Sequence, residues 1–512
     1  MSSQDWSAGY VTDTTYTYGY YQELNPVRAR LALLLAGYEA AKPVHACELG
    51  FGQGVSIAVH ATGSDCQWSG TDFNPSQALH AKMLAASSGA EADLRDESFA
   101  EFASRSDLPE FDFIGLHGIW TWISDENRSV IVDFVRRKLK VGGVLFISYN
   151  TLPGWAAAAP LRHLMAEVGA TLAPQSGGSA ARVEGALSFV DRFLNTDPQY
   201  LQANPKMKDR FEGIKKQNRA YLAHEYFNRD WHPMFFADMA RWLAPAKLTF
   251  GASASLVDGV DILNLTSEQQ AILAELSDPL SRQSLRDFCV NQQFRKDLWT
   301  RGARRLTALE QLESLRDQRL VLSKIRSTVP MSVTTVIGKA DLSEAVYTPL
   351  LDLMADHKIR SFSEIESALR HSVAVGQLVQ AITILTGTGV LAPAQDARSV
   401  QIAKKKTDRL NAHLMNRARG SGDVAYLASP VTGGAVPVAR FPQLFCQAIK
   451  NGRKATDDWV NFVWSILDSQ GQKIVKDGIL LETEQQNRDE LSAQASEFST
   501  NQLPVLKALE II

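Results

Sequence analysis

In the run Glu48-Leu49-Gly50-Phe51-Gly52-Gln53-Gly54, an acid stands two residues before three glycines at alternate positions. The apolar residues before it read as a short buried strand (44–47), and Ser56-Ile57-Ala58-Val59-His60 after it reads as the start of a helix. Glycines tolerate positive φ and let a ligand come close to the backbone, so a strand-turn-helix of this kind cradles nucleotide-like cofactors. The spacing is acidic-x-Gly-x-Gly-x-Gly, not the Gly-x-Gly-x-x-Gly of dinucleotide sites. It therefore points to S-adenosylmethionine (SAM) rather than NAD, with an ordinary α/β turn as the bland alternative.

Further candidates follow at intervals that suit successive strand ends. Asp72 lies about twenty residues past the glycines, where a carboxylate can bind both ribose hydroxyls. Phe51 and Phe73 flank these two positions and join the cofactor set. Glu48 suits the ammonium of the cofactor's amino-acid end. Asp96 could accept from an adenine amino group, with Glu97 supplying a companion amide, although acids in such a loop are often solvated. His117, Trp120 and Trp122 follow the strand 111–116, and aromatic faces attract both a sulfonium and an alkylammonium. One of the two tryptophans is expected in the core. Tyr149 and Asn150 end the strand 144–148, where Asn150 could bond an acceptor amine or cap a helix. Methyl transfer to an amine needs alignment and a neutral nucleophile, and His117 could be the base that removes the proton or a structural hydrogen-bonding group.

These residues need a scaffold of alternating strands and helices. Strand-like runs at 44–47, 67–71, 111–116 and 144–148 alternate with helical ones, which predicts an α/β, Rossmann-like parallel sheet. Residues 156–245 read as a helical insert broken at Gln175-Ser176-Gly177-Gly178-Ser179, and 248–255 and 260–265 as two further strands. The expected organisation is an aromatic arm and helix (1–43), the sheet domain with its insert (44–265), a helical domain (266–335), a winged-helix-like module (336–400) with a capping box at Ser363 and Glu366, and a C-terminal α+β region (401–512). At 512 residues several domains are required, and 45% hydrophobic content marks a globular chain.

Charge and cysteines limit the partners. The net charge of −3 supplies no general attraction to nucleic acid, and residues 341–398 hold seven acids against four bases, which disfavours a DNA-binding winged helix in favour of packing or dimerisation. Lys404-Lys405-Lys406 reads as a solvated helix face. Cys47, Cys66, Cys289 and Cys446 have no metal-type pairing, and no metal site is expected. Residues 1–21 lack a basic, apolar leader, and no apolar run reaches about 18 residues, so a cytoplasmic protein without a membrane span is expected.

With these residues in view, the chain resembles class I SAM-dependent methyltransferases that carry a methyltransferase regulatory domain, and within them the bacterial protein-lysine methyltransferases first known from rickettsiae. The resemblance rests on the glycine loop, Asp72-Phe73-Asn74-Pro75, His117-Gly118-Ile119-Trp120-Thr121-Trp122, Tyr149-Asn150-Thr151-Leu152-Pro153-Gly154-Trp155, Tyr221-Leu222-Ala223-His224-Glu225-Tyr226 and the stretch 287–297. It implies SAM as methyl donor, a lysine ε-amine of a surface or outer-membrane protein as acceptor, and a regulatory role for the helical domain 266–335. It also implies an N-terminal flap of Tyr18, Tyr20 and Tyr21 over the methyl group, and an acceptor entrance lined by His224, Glu225 and Tyr226. The sequence leaves open methylation of a polysaccharide, lipid-linked sugar or small molecule, and a non-catalytic scaffold.

Overall fold

The computed structural model describes residues 9–14, 16–172 and 178–512. A seven-stranded sheet of order β3-β2-β1-β4-β5-β7-β6 forms the centre. Its strands are β1 (His45–Leu49), β2 (Gln67–Thr71), β3 (Ala92–Arg95), β4 (Phe111–Leu116), β5 (Leu139–Asn150), β6 (Thr249–Ser253) and β7 (Phe294–Thr300). The first five run parallel, and β7 is antiparallel to both β5 and β6. The strand order reverses beside β1, between β1 and β4, so the carboxyl ends there open the crevice where α/β sheets bind ligands.

Helix α2 (Val55–Gly63) begins directly after Gly54 and is buried along its whole length. It lies between the sheet and the helix Ala397–Arg417, so an all-round small and apolar sequence is what its position demands. Helix α3 (Pro75–Ser88) is started by Asn74, whose Oδ1 accepts from the Ser76 amide at 3.0 Å, with Pro75 at the first helical position.

The remaining modules share cores with the sheet layer. The insert helices, among them Ala159–Leu172, Gly178–Leu194 and Arg219–Tyr226, close on a core of their own that also takes Val11 from the arm. The break predicted at residues 175–177 lies outside the described residues. Around Glu344–Leu353, Phe362–Leu369 and Val375–Gly387 a small three-stranded sheet completes the winged-helix-like module, which packs on Leu31 and Leu34 of helix α1 (Pro26–Leu35). The C-terminal region takes Val55, Ala58, Val59 and Leu84 of α2 and α3 into its core.

Several local expectations are corrected. Residues 260–265 are not a strand: Asp261–Asn264 is a short helix, and the seventh strand is β7, which extends the sheet past residue 265. The capping box is Ser361 with Glu364 rather than Ser363 with Glu366, and Glu366 pairs with Arg316 at 2.8 Å. The lysine run is only partly solvated, because Lys406 Nζ donates to the carbonyls of Ala61 and Ser64 at the C-terminal end of α2. Among the described residues no helix is long and apolar enough to cross a membrane.

Candidate active site

The glycine loop enters the crevice from β1. Gly50, Gly52 and Gly54 have φ of +72°, +57° and +73°, in the left-handed region that side chains avoid. Gly54 has a second constraint, because a Cβ there would lie 2.2 Å from that of Ala81 in α3. The turn is tied to β2 by Asp72, whose carboxylate accepts from the amides of Gly52 (2.8 Å) and Asn74 (3.0 Å).

Over this loop lies a cavity of about 210 Å³. Glu48, Gly50, Phe51, Gly52, Asp72 and Phe73 form its floor, and Glu97, Ser98 and Phe99 one end. His117, Trp122 and Tyr21 line it from the strand-end and arm sides, joined by Tyr10 and Tyr16 of the arm.

Its electrostatics are acidic and desolvated. Glu48 is only 3% exposed, and its Oε2 is buried without a hydrogen-bond partner. Burial, reinforced by the charge of Asp72, pushes the Glu48 carboxyl well above the usual range. Burial also raises Asp72 to about 7, against the two amide bonds that favour its ionised form. No ion pair reaches either carboxylate among the described residues. Two carboxyl groups so placed are poised to receive a cationic ligand.

His117 stacks under the ring of Tyr21, with centroids 3.6 Å apart, and its Nδ1 lies 3.4 Å from Ser148 Oγ, which accepts from the Gly118 amide. Burial lowers the imidazole to about 3, so it stays neutral and is a poor acceptor for an ammonium proton. Glu225 behaves oppositely: burial raises it to about 7, and its charge is felt by Tyr10, Tyr16 and Tyr21 of the arm.

Not every candidate reaches the cavity. Trp120 is fully buried in the core, where its Nε1 donates to Met234 Sδ and its ring packs edge-on against Trp242, so Trp122 is the tryptophan at the site. Asp96 is exposed and pairs with Lys82 at 3.5 Å, leaving Glu97 as the cavity-lining acid. Asn150 is buried beside the cavity without lining it; its amide donates to Thr121 Oγ1 and its carbonyl accepts from Met234. Tyr149 turns away, donating to Asp297 Oδ2 at 2.8 Å in a buried network with Arg295. Of the expected flap only Tyr21 faces the cavity. Tyr18 packs on His80 and Arg417, and Tyr20 lies against His60 and Tyr426.

The turn Thr151-Leu152-Pro153-Gly154-Trp155 has a structural explanation. Thr151 Oγ1 and the Gly154 amide both donate to the Gln292 carbonyl, and a Cβ at Gly154 would meet Gln293 Cα at 2.5 Å. The end of β5 is thereby locked to the segment that leads into β7. Gln77 and Asp230 also line the cavity with no motif that would have singled them out, and Gln53 and Ile119 line it from within the glycine loop and the stretch 117–122.

The family described as the predicted methyltransferase regulatory domain matches residues 218–301, which run from the last insert helices through β6 to β7. The chain is 39% identical over 511 residues to the protein sll1526 of Synechocystis sp., covering 99% of both. It is 24% identical over 190 residues to RP789 of Rickettsia prowazekii, covering 37% of this chain and 34% of that one. Among solved structures, PKMT2 from Rickettsia typhi in complex with AdoHcy superposes with a TM-score of 0.69 at 16% identity, covering 97% of this chain and 99% of that one. The sheet order, the glycine loop on β1 and the whole-chain superposition agree, and the chain belongs with sll1526 to the family of class I SAM-dependent methyltransferase fold that carries a methyltransferase regulatory domain.

Proposed function

We propose that the protein is a SAM-dependent methyltransferase that methylates lysine ε-amines of a protein, with a surface or outer-membrane protein as acceptor. The observation that carries the reading is the aromatic cavity over the glycine loop, with the unpartnered Glu48 Oε2 in its floor. The residues fit the cofactor: Glu48 would take its ammonium, Asp72 its ribose hydroxyls, and Glu97, Ser98 and Phe99 its adenine. Bound there, SAM supplies a methyl group on a positively charged sulfur.

The chain's own residues do the rest. Tyr21, His117 and Trp122 present ring surfaces that attract cationic groups and exclude water. Lysine has a reference pKa near 10.4, so the acceptor must lose a proton before its lone pair can attack. Desolvation in the aromatic channel favours that loss, and Glu225, which lies outside the cavity lining but whose charge is felt by its Tyr10, Tyr16 and Tyr21, would accept the proton, burial having raised its carboxyl to about 7. With Tyr21, His117 and Trp122 holding the deprotonated amine in place, its lone pair would take the methyl group that bound SAM supplies, the C–N bond forming as the C–S bond breaks and S-adenosylhomocysteine leaving.

The lysine assignment draws on the resemblance to rickettsial-type protein-lysine methyltransferases and on this acidic, aromatic lining. Purified protein incubated with methyl-labelled SAM and cell extract should label a protein band, with the label on lysine after hydrolysis. Label confined to saccharide or small metabolites would overturn the lysine acceptor and leave the methyltransferase standing.

A further inference from the structure

A second cavity, of about 440 Å³, opens where the arm, the winged-helix-like module and the C-terminal region meet. No aspartate or glutamate lines it, although the whole chain has more acids than bases. Two cations do: Arg28 of α1 and the exposed Lys324. Hydroxyl and amide side chains surround them, including Thr328, Thr388, Asn501 and Gln502.

Arg28 is the unusual group. It is 6% exposed, its Nη1 donates only to the Thr386 carbonyl (3.1 Å), and its buried Nε has no partner. Among the described residues no carboxylate pairs with it, because the nearby Glu23 is held by Lys296 at 2.7 Å. A buried guanidinium with no direct ion pair, its one acidic neighbour Glu23 already bonded to Lys296, is costly, and the planar fork of arginine suits phosphate or carboxylate. The remaining wall is apolar, formed by residues such as Leu391 and Val436.

We propose that this cavity is an effector site for a small organic anion, a phosphate- or carboxylate-bearing metabolite whose anionic head pairs with Arg28 and Lys324. The position gives it a route to the active site. Tyr20 lines this cavity and the next residue, Tyr21, lines the other, stacked on His117 with its amide held by Ser56 Oγ at 2.9 Å. Filling the anion cavity therefore biases the position of the tyrosine that closes the active site.

The test is thermal denaturation of the full chain at constant ionic strength, titrated with glycerol 3-phosphate in one arm and succinate in the other. A saturable rise in Tm is expected in at least one arm, which identifies the preferred head group. Lys324→Glu should weaken half-saturation by about tenfold or more, and Arg28→Gln should abolish the response. Lys324 is exposed, so its variant decides the matter even if the Arg28 variant does not fold. No saturable shift with either anion, or a shift unchanged in Lys324→Glu, overturns the site. Glu48→Gln should keep the anion response, which separates this site from the SAM cavity.

Discussion

The imidazole of His117 lies against the phenol ring of Tyr21 with centroids 3.6 Å apart and planes inclined by 26°. One residue comes from the end of β4 and the other from the N-terminal arm, so this stack is where the arm closes over the sheet. Phe146 extends it from below, 6.1 Å from His117. Tyr21→Ala should reduce methyl-transfer kcat by about ten- to a hundredfold through lost alignment, while Tyr21→Phe, which keeps the stack, should stay within a few-fold of wild type. Steady-state kinetics on both variants checks this. Equal losses in the two would assign the effect to the hydroxyl instead.

Glu48 is a site where binding and stability oppose each other. Its folded carboxyl is held above its unfolded value, so the stability it contributes is full below the unfolded pKa and is lost as pH rises through the folded one. Glu48→Gln removes a buried ionisable carboxyl with an unpartnered oxygen. The unliganded variant should be more stable than wild type by about 1–2 kcal/mol at pH 8, with the gap closing toward pH 4, and should bind SAM more weakly. Chemical denaturation across pH measures the first part and calorimetry the second.

Glu225 and His117 make opposite predictions for the pH profile. Burial puts Glu225 at about 7 and His117 at about 3. If Glu225 accepts the lysine proton, kcat/KM rises with pH through an apparent pKa near neutrality. Glu225→Gln should remove that limb and lower kcat by about a hundredfold, whereas His117→Asn should leave the limb in place. A limb that survives in Glu225→Gln and vanishes in His117→Asn would reverse the roles.

The C-terminal region holds the glycine loop through one histidine. Arg417, paired with Asp423, donates to His80 Nε2 at 2.9 Å, and His80 Nδ1 donates to the Gln53 carbonyl at 2.7 Å. These two bonds require neutral His80 with its proton on Nδ1, and burial lowers its pKa accordingly. The folded pKa is depressed, so this contribution is present above the unfolded value near 6.5 and is lost as pH falls through the folded one. Arg417→Leu should weaken SAM binding by about three- to tenfold with kcat less affected, because it loosens the loop rather than the reacting atoms. Titration calorimetry beside kinetics separates the two, and unchanged affinity would remove the loop from this chain of contacts.

The sequence made the donor side legible and hid much of the rest, for physical reasons. The glycine loop, β2 and β4 could be read because a parallel sheet needs apolar runs and a close-approach turn needs glycine. β7 was hidden because it buries Arg295 and Asp297, which pair with each other at 2.9 Å. A strand neutralised internally looks polar by composition. Residues 260–265 misled in the reverse direction, with an apolar run that curls into a short helix behind Asp261. Among the aromatics, composition could not tell Trp122 from Trp120 or Tyr21 from Tyr18 and Tyr20, since the side each faces is set by partners such as Met234, Arg417 and Tyr426, distant in sequence. Tyr10 reaches the site only through the folding of the arm, and Glu225, outside the cavity lining, acts on the arm's tyrosines only through the folding of the insert.

The central claim, that the carboxylate-floored cavity holds SAM, is tested most directly by titrating SAM into the purified full-length protein in a calorimeter. The account predicts one saturable site per chain, strongly weakened by Asp72→Ala and unaffected by Asp96→Ala. A folded protein that gives no binding heat with SAM at several temperatures, or binding that Asp72→Ala leaves unchanged, would contradict it.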